Sequence, residues 1–185
     1  MKKSKVFRLS FCAIMASMSI VLTLFEVNLP VFNVALYGLP LVFVSVLFGP
    51  SYGFLTGLIA GAVEQITKGL SIQTFIWILA PLAWGGLSGL VYHVLKNLFG
   101  DNKEYKKIVY YVFAIFISVL VANVCNSAAM AIFAYTKEPI TSFGAFIVYA
   151  FSRMISIPLH IIVYVPICYL VCDKLNKHLI SNFES

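Results

Sequence analysis

Apolar residues fill most of the chain in six long runs, which are separated by short segments rich in charge, proline, glycine or asparagine. Drawn as helices, the runs are apolar around most of their circumference, as helices in lipid or in a protein core must be. A helical membrane span needs about 20 such residues. The pattern predicts an all-α membrane protein, a bundle of six transmembrane helices at about 9–25, 35–48, 51–67, 72–95, 108–135 and 143–171.

The second run is short and ends at Gly49-Pro50, where proline suits the first turn of the next helix. The first run follows basic residues, as in a signal peptide, but it lacks a convincing cleavage site and is interpreted as a retained helix. No internal repeat or soluble domain is visible, so residues 1–185 are predicted to form one six-helix domain.

The composition supports this interpretation. Hydrophobic residues make up 61% of the 185 residues and charged residues 11%, with a mean hydropathy of +0.96, and a soluble domain of this size could not bury so much apolar surface. The net charge of +6 comes from too few charged residues to form a nucleic-acid-binding face, so no nucleic-acid partner is predicted. The four cysteines lie in apolar runs without the spacing of a metal site or of a disulfide framework, and are interpreted as buried small apolar residues.

The basic residues predict which way the helices point. Ten of the 13 Lys and Arg residues precede the first run, lie between the fourth and fifth runs, or follow the sixth: Lys2, Lys3, Lys5, Arg8, Lys96, Lys103, Lys106, Lys107, Lys174 and Lys177. An even number of spans places all ten on one side, and basic flanks are retained in the cytoplasm. Both termini are therefore predicted to be cytoplasmic.

Two ionisable residues fall inside predicted spans, Glu64 near the outer end of the third and Arg153 in the first half of the sixth. An ionisable group within the membrane is costly unless it meets a partner or a wet cavity, so both are candidate substrate-binding residues. Two structural roles remain open: a Glu64–Lys68 pair one turn apart, and an Arg153 that extends its head group to the membrane surface.

Amide and aromatic residues extend this candidate site. Gln73, Thr74 and Trp77 are expected near the outer mouth, where Trp77 could stack on a flat heterocycle or simply be an interfacial aromatic residue. Asn126 lies at mid-membrane depth in the fifth span and could either bind substrate or form an interhelical hydrogen bond. For Asn123 we expect the interhelical bond, and for His160 a structural role.

Small residues spaced four apart in the first span form the pairs Cys12/Ala16 and Ala13/Ser17, a pattern that lets another helix approach closely. A denser group of small residues at 83–89 is predicted to serve internal packing. Neither a phosphate-binding glycine-rich loop nor a metal-binding His-Glu helix is present, so ATP hydrolysis by a familiar route is not expected.

In their order along the chain, several motifs resemble those of the S components of energy-coupling factor (ECF) transporters, most closely the folate branch. These motifs are Leu39-Pro40-Leu41, the Leu47–Gly53 turn, Gly57–Gly61, Pro81 with Gly85-Gly86, Asn126-Ser127, and Arg153 with Ile157-Pro158.

The resemblance implies a substrate-binding subunit, without cofactor or metal, in the lipid bilayer of a bacterial cell membrane. It would capture a water-soluble vitamin, either folate-like, pantothenate or another small vitamin. Its partners would be a transmembrane coupling subunit (EcfT-type) and two ATPase subunits (EcfA-type), with Ala13 and Ser17 in the contact with the coupling subunit.

Two other functional classes are alternatives for such a membrane protein. In an intramembrane enzyme, Glu64 and His160 would act as acid and base, but no paired-carboxylate or histidine-rich motif supports this. A self-sufficient secondary carrier is disfavoured because the chain is short and shows no inverted halves.

Overall fold

The computed structural model describes residues 2–25, 27–28, 33–69, 72–100, 103–137, 144, 147, 150–151 and 153–183. Within them the chain forms six long helical stretches: α1 (Lys2–Leu22), α2 (Gly38–Phe48), α3 (Pro50–Lys68), α4 (72–99), α5 (Glu104–Lys137) and α6 (Ser156–Phe183). The strands found in this part of the chain form a single two-residue ladder, Val27–Asn28 with Asn33–Val34. The prediction of an all-α membrane protein is confirmed.

In the described part of the chain, four stretches are long and apolar enough to cross a membrane: Lys5–Leu22, Phe75–Phe99, Glu104–Ile132 and Ser156–Leu175. With 11 residues, α2 is only about 16 Å long and cannot cross a hydrocarbon core of about 30 Å alone. Most of α2 is buried, so it is a core helix of the bundle. With 19 residues α3 has the length of a span, but Glu64 and Gln65 make its C-terminal end polar.

The second and sixth predicted spans differ from the observed helices. The second helix begins at Gly38 rather than at residue 35, because residues 36 and 37 form a turn in which Leu39 N–H donates to Leu36 O. The sixth predicted span is not one continuous helix, since a turn at Ile155 precedes α6.

α4 is irregular and consists of Ile72–Trp77, Leu79–Leu82, a π-helical turn Ala83–Leu87, and Ser88–Phe99. Pro81 has no N–H to donate to the carbonyl four residues earlier, which accounts for a break in this region. The break and the wide π-turn lie in the half of α4 that includes Trp77 and Trp84.

Glycines bring α3 and α4 into backbone contact. A Cβ atom on Gly85 would lie 2.1 Å from the carbonyl oxygen of Gly53, and one on Gly57 would lie 2.4 Å from that of Pro81. Next to them, the hydroxyls of Ser45 in α2 and Ser88 in α4 are 2.7 Å apart. The predicted role of residues 83–89 in internal packing is confirmed.

The bundle has two distinct ends. At one end the guanidinium of Arg8 lies over Phe48 near the α2–α3 turn, and the hydroxyl of Tyr169 in α6 donates to Glu104 at the start of α5. We call this the terminal end, because α1 begins there and α6 runs toward it. At the opposite end, Ala35 N–H donates to His160.

Candidate functional site

A cavity of about 280 Å³ opens in the half of the bundle away from the terminal end. It is lined by residues of the segment before α2, the end of α3, the first half of α4, the second half of α5, and the region around the start of α6. The lining residues are Ala35, Tyr37, Glu64, Gln65, Trp77, Ala80, Pro81, Trp84, Ala122, Asn123, Asn126, Met130, Arg153 and His160.

Four of the predicted site residues come together in this cavity. Glu64 comes from α3, Trp77 from α4, Asn126 from α5 and Arg153 from the residues before α6, and all four are half-buried. They therefore line an opening rather than a sealed core. Their role in binding substrate stays a prediction.

Two further predicted residues, Gln73 and Thr74, lie in the helical segment Ile72–Trp77 next to the cavity. Their side chains are outside the described part of the structure, as is the side chain of Lys68 in the alternative Glu64–Lys68 pair.

Asn123 positions the backbone at Arg153. Its Nδ2 donates to the carbonyl oxygen of Arg153 at 3.0 Å, and Ser156 Oγ donates to the same oxygen at 2.6 Å. The expected interhelical hydrogen bond of Asn123 is confirmed. It fixes α5 against the residues that bring Arg153 to the cavity.

His160 has a structural role, as expected. Its Nδ1 lies 2.7 Å from the carbonyl oxygen of Ser156 and must donate to it, while its Nε2 accepts from Ala35 N–H at 3.3 Å. Because Nε2 needs its lone pair for this bond, the ring is neutral and held in one tautomer. Both nitrogens are occupied, so the imidazole is not placed for acid–base chemistry.

Aromatic packing builds the inner wall around this histidine. Trp84 is 2% exposed and stacks on Tyr164, with ring centroids 4.9 Å apart and planes 28° apart, and its ring centroid lies 5.6 Å from that of His160. The Tyr164 hydroxyl donates to the carbonyl oxygen of Ala35. The segment that precedes α2 is thereby joined to α6 and completes the wall.

The cavity has an enclosed inner part and an open outer part. Gln65, Trp84, Asn123 and His160 are buried, whereas Glu64, Trp77, Asn126 and Arg153 are half-buried. The charged residues that line the cavity, Glu64 and Arg153, thus belong to its open part. The four buried residues have neutral side chains.

Comparison with known families assigns this bundle. A family model described as "Thiamine transporter protein" matches residues 9–179. The chain belongs to the thiamine transporter protein family. Its members are transporter proteins of the ECF S-component type and not enzymes. No curated protein and no solved structure matched the chain.

The match confirms the resemblance to S components and corrects its finer part, because it does not support the folate branch. Several residues of the motifs behind that assignment serve helix packing in this thiamine transporter family member. Gly49 has a φ of +98° in the turn before Pro50, Gly53 contacts Gly85, and Ser127 donates to the carbonyl oxygen of Asn123. These glycine and serine positions belong to the scaffold, whereas Asn126 and Arg153 of the same motifs line the cavity.

Sequence reasoning missed several cavity residues of this family member, notably Tyr37, Gln65, Trp84 and Met130. For Gln65 a signal was available, because it continues the spacing of Gly53, Gly57 and Gly61 on one face of α3. Trp84 lies within the small-residue segment 83–89, whose composition indicates helix packing and gives no sign of a cavity residue. Nothing in the sequence set Tyr37 or Met130 apart from other core residues.

A second cavity, of about 170 Å³, lies at the terminal end and includes His93, Lys96, Lys107 and Asp173. The ammonium of Lys107 forms ion pairs with Glu104 at 3.3 Å and with Asp173 at 3.7 Å. Of the predicted substrate-binding residues whose side chains are described, none lines this cavity.

Proposed function

We propose that the protein is the S component of a thiamine importer, which captures thiamine from the outer face through the 280 Å³ cavity. Family membership supports vitamin uptake in general. The observation that carries the specific proposal is that four helical regions bring Glu64, Trp77, Asn126 and Arg153 to one opening.

The chemistry of these groups suits thiamine. Thiamine joins a cationic thiazolium ring to a neutral aminopyrimidine ring, so its binding site needs negative charge and aromatic surface. The carboxylate of Glu64 provides the charge, and the half-buried indole of Trp77 provides a flat face that attracts aromatic and cationic rings. Asn126 can both donate and accept, and Arg153 can donate to an acceptor atom such as the ligand's hydroxyl oxygen.

Energy for uptake would come from partners, an EcfT-type coupling subunit and two EcfA-type ATPases. The exposed side of α1 supports such docking. Only 17% of the span Lys5–Leu22 is buried in the bundle, against 39–50% of each of the other three candidate spans. Ala13 and Ser17 are exposed there. The Ser17 hydroxyl donates to the carbonyl oxygen of Ala13 at 3.0 Å, so it adds no unpaired polar group to a close helix contact.

Calorimetry on the purified subunit tests the substrate. We expect thiamine to bind tightly at one site per chain, and folate and pantothenate to bind weakly or not at all. A preference for folate or pantothenate would overturn thiamine as the substrate while leaving an S component. Failure to bind any vitamin in a broad panel would contradict the whole proposal.

Reconstitution tests the mechanism of delivery. In liposomes we expect thiamine uptake only when the coupling subunit, both ATPases and ATP are present. Uptake by the protein alone, without ATP, would instead favour a self-sufficient secondary carrier.

A further inference from the structure

Gln65 is a buried amide in the wall of the cavity. It is 3% exposed and lines the opening. Its Oε1 accepts no hydrogen bond from any residue that the structure describes. Buried polar atoms are nearly always hydrogen-bonded in proteins, because leaving one unpaired is costly. An unpaired acceptor in a cavity wall is therefore suited to meet a donor on a ligand.

The position of Gln65 follows from the packing of α3 on α4. Gly53 lies against Gly85, Gly57 against Pro81, and Gly61 close to Pro81 and Ile78. Gln65 comes one turn later on the same face of α3. A long polar side chain thus replaces glycine where the tight helix contact gives way to the cavity.

The other buried amide and imidazole of the inner part are already engaged. Asn123 Nδ2 donates to the carbonyl oxygen of Arg153, and both ring nitrogens of His160 are hydrogen-bonded. Gln65 Oε1, by contrast, is fully buried and has no hydrogen-bond partner in the described part of the chain.

We propose that Gln65 accepts a hydrogen bond from the exocyclic amino group of the ligand and so selects for an aminopyrimidine. This inference rests on the proposed function. Thiamine has N–H donors only on that amino group, since its thiazolium nitrogen carries no hydrogen, and its other donor is a hydroxyl. The neutral aminopyrimidine suits the enclosed part that holds Gln65 and Trp84, and the thiazolium suits the open part near the charge of Glu64.

The test compares thiamine with an analogue in which a hydrogen atom replaces the 4-amino group. In the wild type this analogue offers Gln65 Oε1 no donor and leaves it unpaired, so we expect the analogue to bind about tenfold to a hundredfold more weakly. In Gln65→Met, a change of similar volume, thiamine should bind about tenfold more weakly than to the wild type, and the preference for thiamine over the analogue should fall to about twofold or less.

Gln65→Glu separates acceptance from donation, because a carboxylate can only accept. We expect this variant to keep the preference for thiamine. The matched control is Ile66→Met, which places methionine at the next position, where the side chain is 64% exposed. It should bind both ligands as the wild type does.

Four results would overturn the inference. A wild type that binds both ligands equally does not recognise the amino group, and this result needs no variant to fold. A Gln65→Met variant that keeps the full preference excludes Gln65. Loss of the preference in Gln65→Glu shows that the amide donates. If Gln65→Met instead loses its preference for thiamine over a thiamine lacking the hydroxyl group, Gln65 binds that hydroxyl. A wild type that binds no thiamine refutes the proposed function itself, a result distinct from these four.

Discussion

At the scale of single residues, the charge of Glu64 is the feature of the site that a cationic ligand should need most. Arg153 lines the same cavity and carries positive charge, so a thiazolium ring requires a nearby anion. We expect Glu64→Gln to weaken thiamine binding about tenfold to a hundredfold, because hydrogen bonds and contacts that involve a charged group contribute about 1.5–3 kcal/mol. Calorimetry measures the change.

Glu104→Gln is the matched control for this variant. Glu104 lies at the terminal end, where it accepts from Tyr169 and pairs with Lys107, and its side chain is 64% exposed. Its loss should leave thiamine affinity unchanged. If Glu64→Gln bound thiamine as the wild type does, the carboxylate would have no part in recognition.

The cost of burying charge explains which site residues could be predicted from sequence. Glu64 and Arg153 stand out in an apolar run because the membrane penalises them, and the structure brings both to one cavity. Trp84 and Tyr37 are apolar enough to be ordinary core residues, and their place in the wall depends on the π-turn and on the segment before α2. Such features arise from tertiary packing, which a single sequence does not reveal.

At the scale of helices, the contact between Gly53 and Gly85 sets how closely α3 approaches α4. In Gly85→Ala the new Cβ would lie 2.1 Å from a backbone carbonyl oxygen, which cannot rotate away as a side chain can. The helices must separate, and we expect a loss of about 1–3 kcal/mol in stability. Thermal unfolding in detergent would show it as a lower midpoint, together with weaker thiamine binding.

Gly144→Ala is the control for this contact. Gly144 is exposed and helical, and a Cβ there would meet no described residue within 4 Å. Its unfolding midpoint should stay the same or rise slightly, since alanine favours helix. Equal midpoints for Gly85→Ala and the wild type would show that the glycine contact does not limit the packing of α3 on α4.

The buried and exposed faces of α1 are expected to have different roles, which variants can distinguish. Cys12 and Ala16 are each 2% exposed and pack inward, whereas Ala13 and Ser17 face outward. We expect Ala13→Leu and Ser17→Leu to reduce co-purification with the coupling subunit about tenfold, because added bulk in a close helix contact costs about 1–3 kcal/mol. Thiamine affinity should not change, since no described side chain of α1 lines the cavity.

Met18→Leu is the control on the same helix, because Met18 is 47% exposed and leucine has a similar volume. It should assemble normally. Normal assembly of both leucine variants at positions 13 and 17 would place the coupling contact elsewhere on the surface.

At the scale of the whole molecule, the hydrophobic runs predicted the number of long helices. The positions of the basic residues between these runs predicted that most of them lie at one end of the bundle. Arg8, Lys96 and the lysines at the start of α5 all belong to the terminal end, as the alternation of spans requires. Length and hydropathy could not show that α2 is a buried core helix of 11 residues. Burial depends on what surrounds a helix, and lipid and protein select equally apolar residues.

This division of charge makes orientation testable. Met130 lines the cavity, and Lys103 is exposed at the terminal end. Three native cysteines are buried and Cys125 is half-buried. In a Cys125→Ala background, the remaining native cysteines are therefore expected not to react with a maleimide. In intact cells we expect a membrane-impermeant maleimide to label Met130→Cys but not Lys103→Cys, and in inverted vesicles the reverse.

Thiamine adds a second readout to the same experiment. Bound in the cavity, it should slow the labelling of Met130→Cys, whereas in inverted vesicles it should leave the labelling of Lys103→Cys unchanged. If Lys103→Cys reacted from outside the cell, the cavity would face the cytoplasm. A protein so oriented could not capture a vitamin from the medium, and importer function would then be excluded whatever its affinity for thiamine.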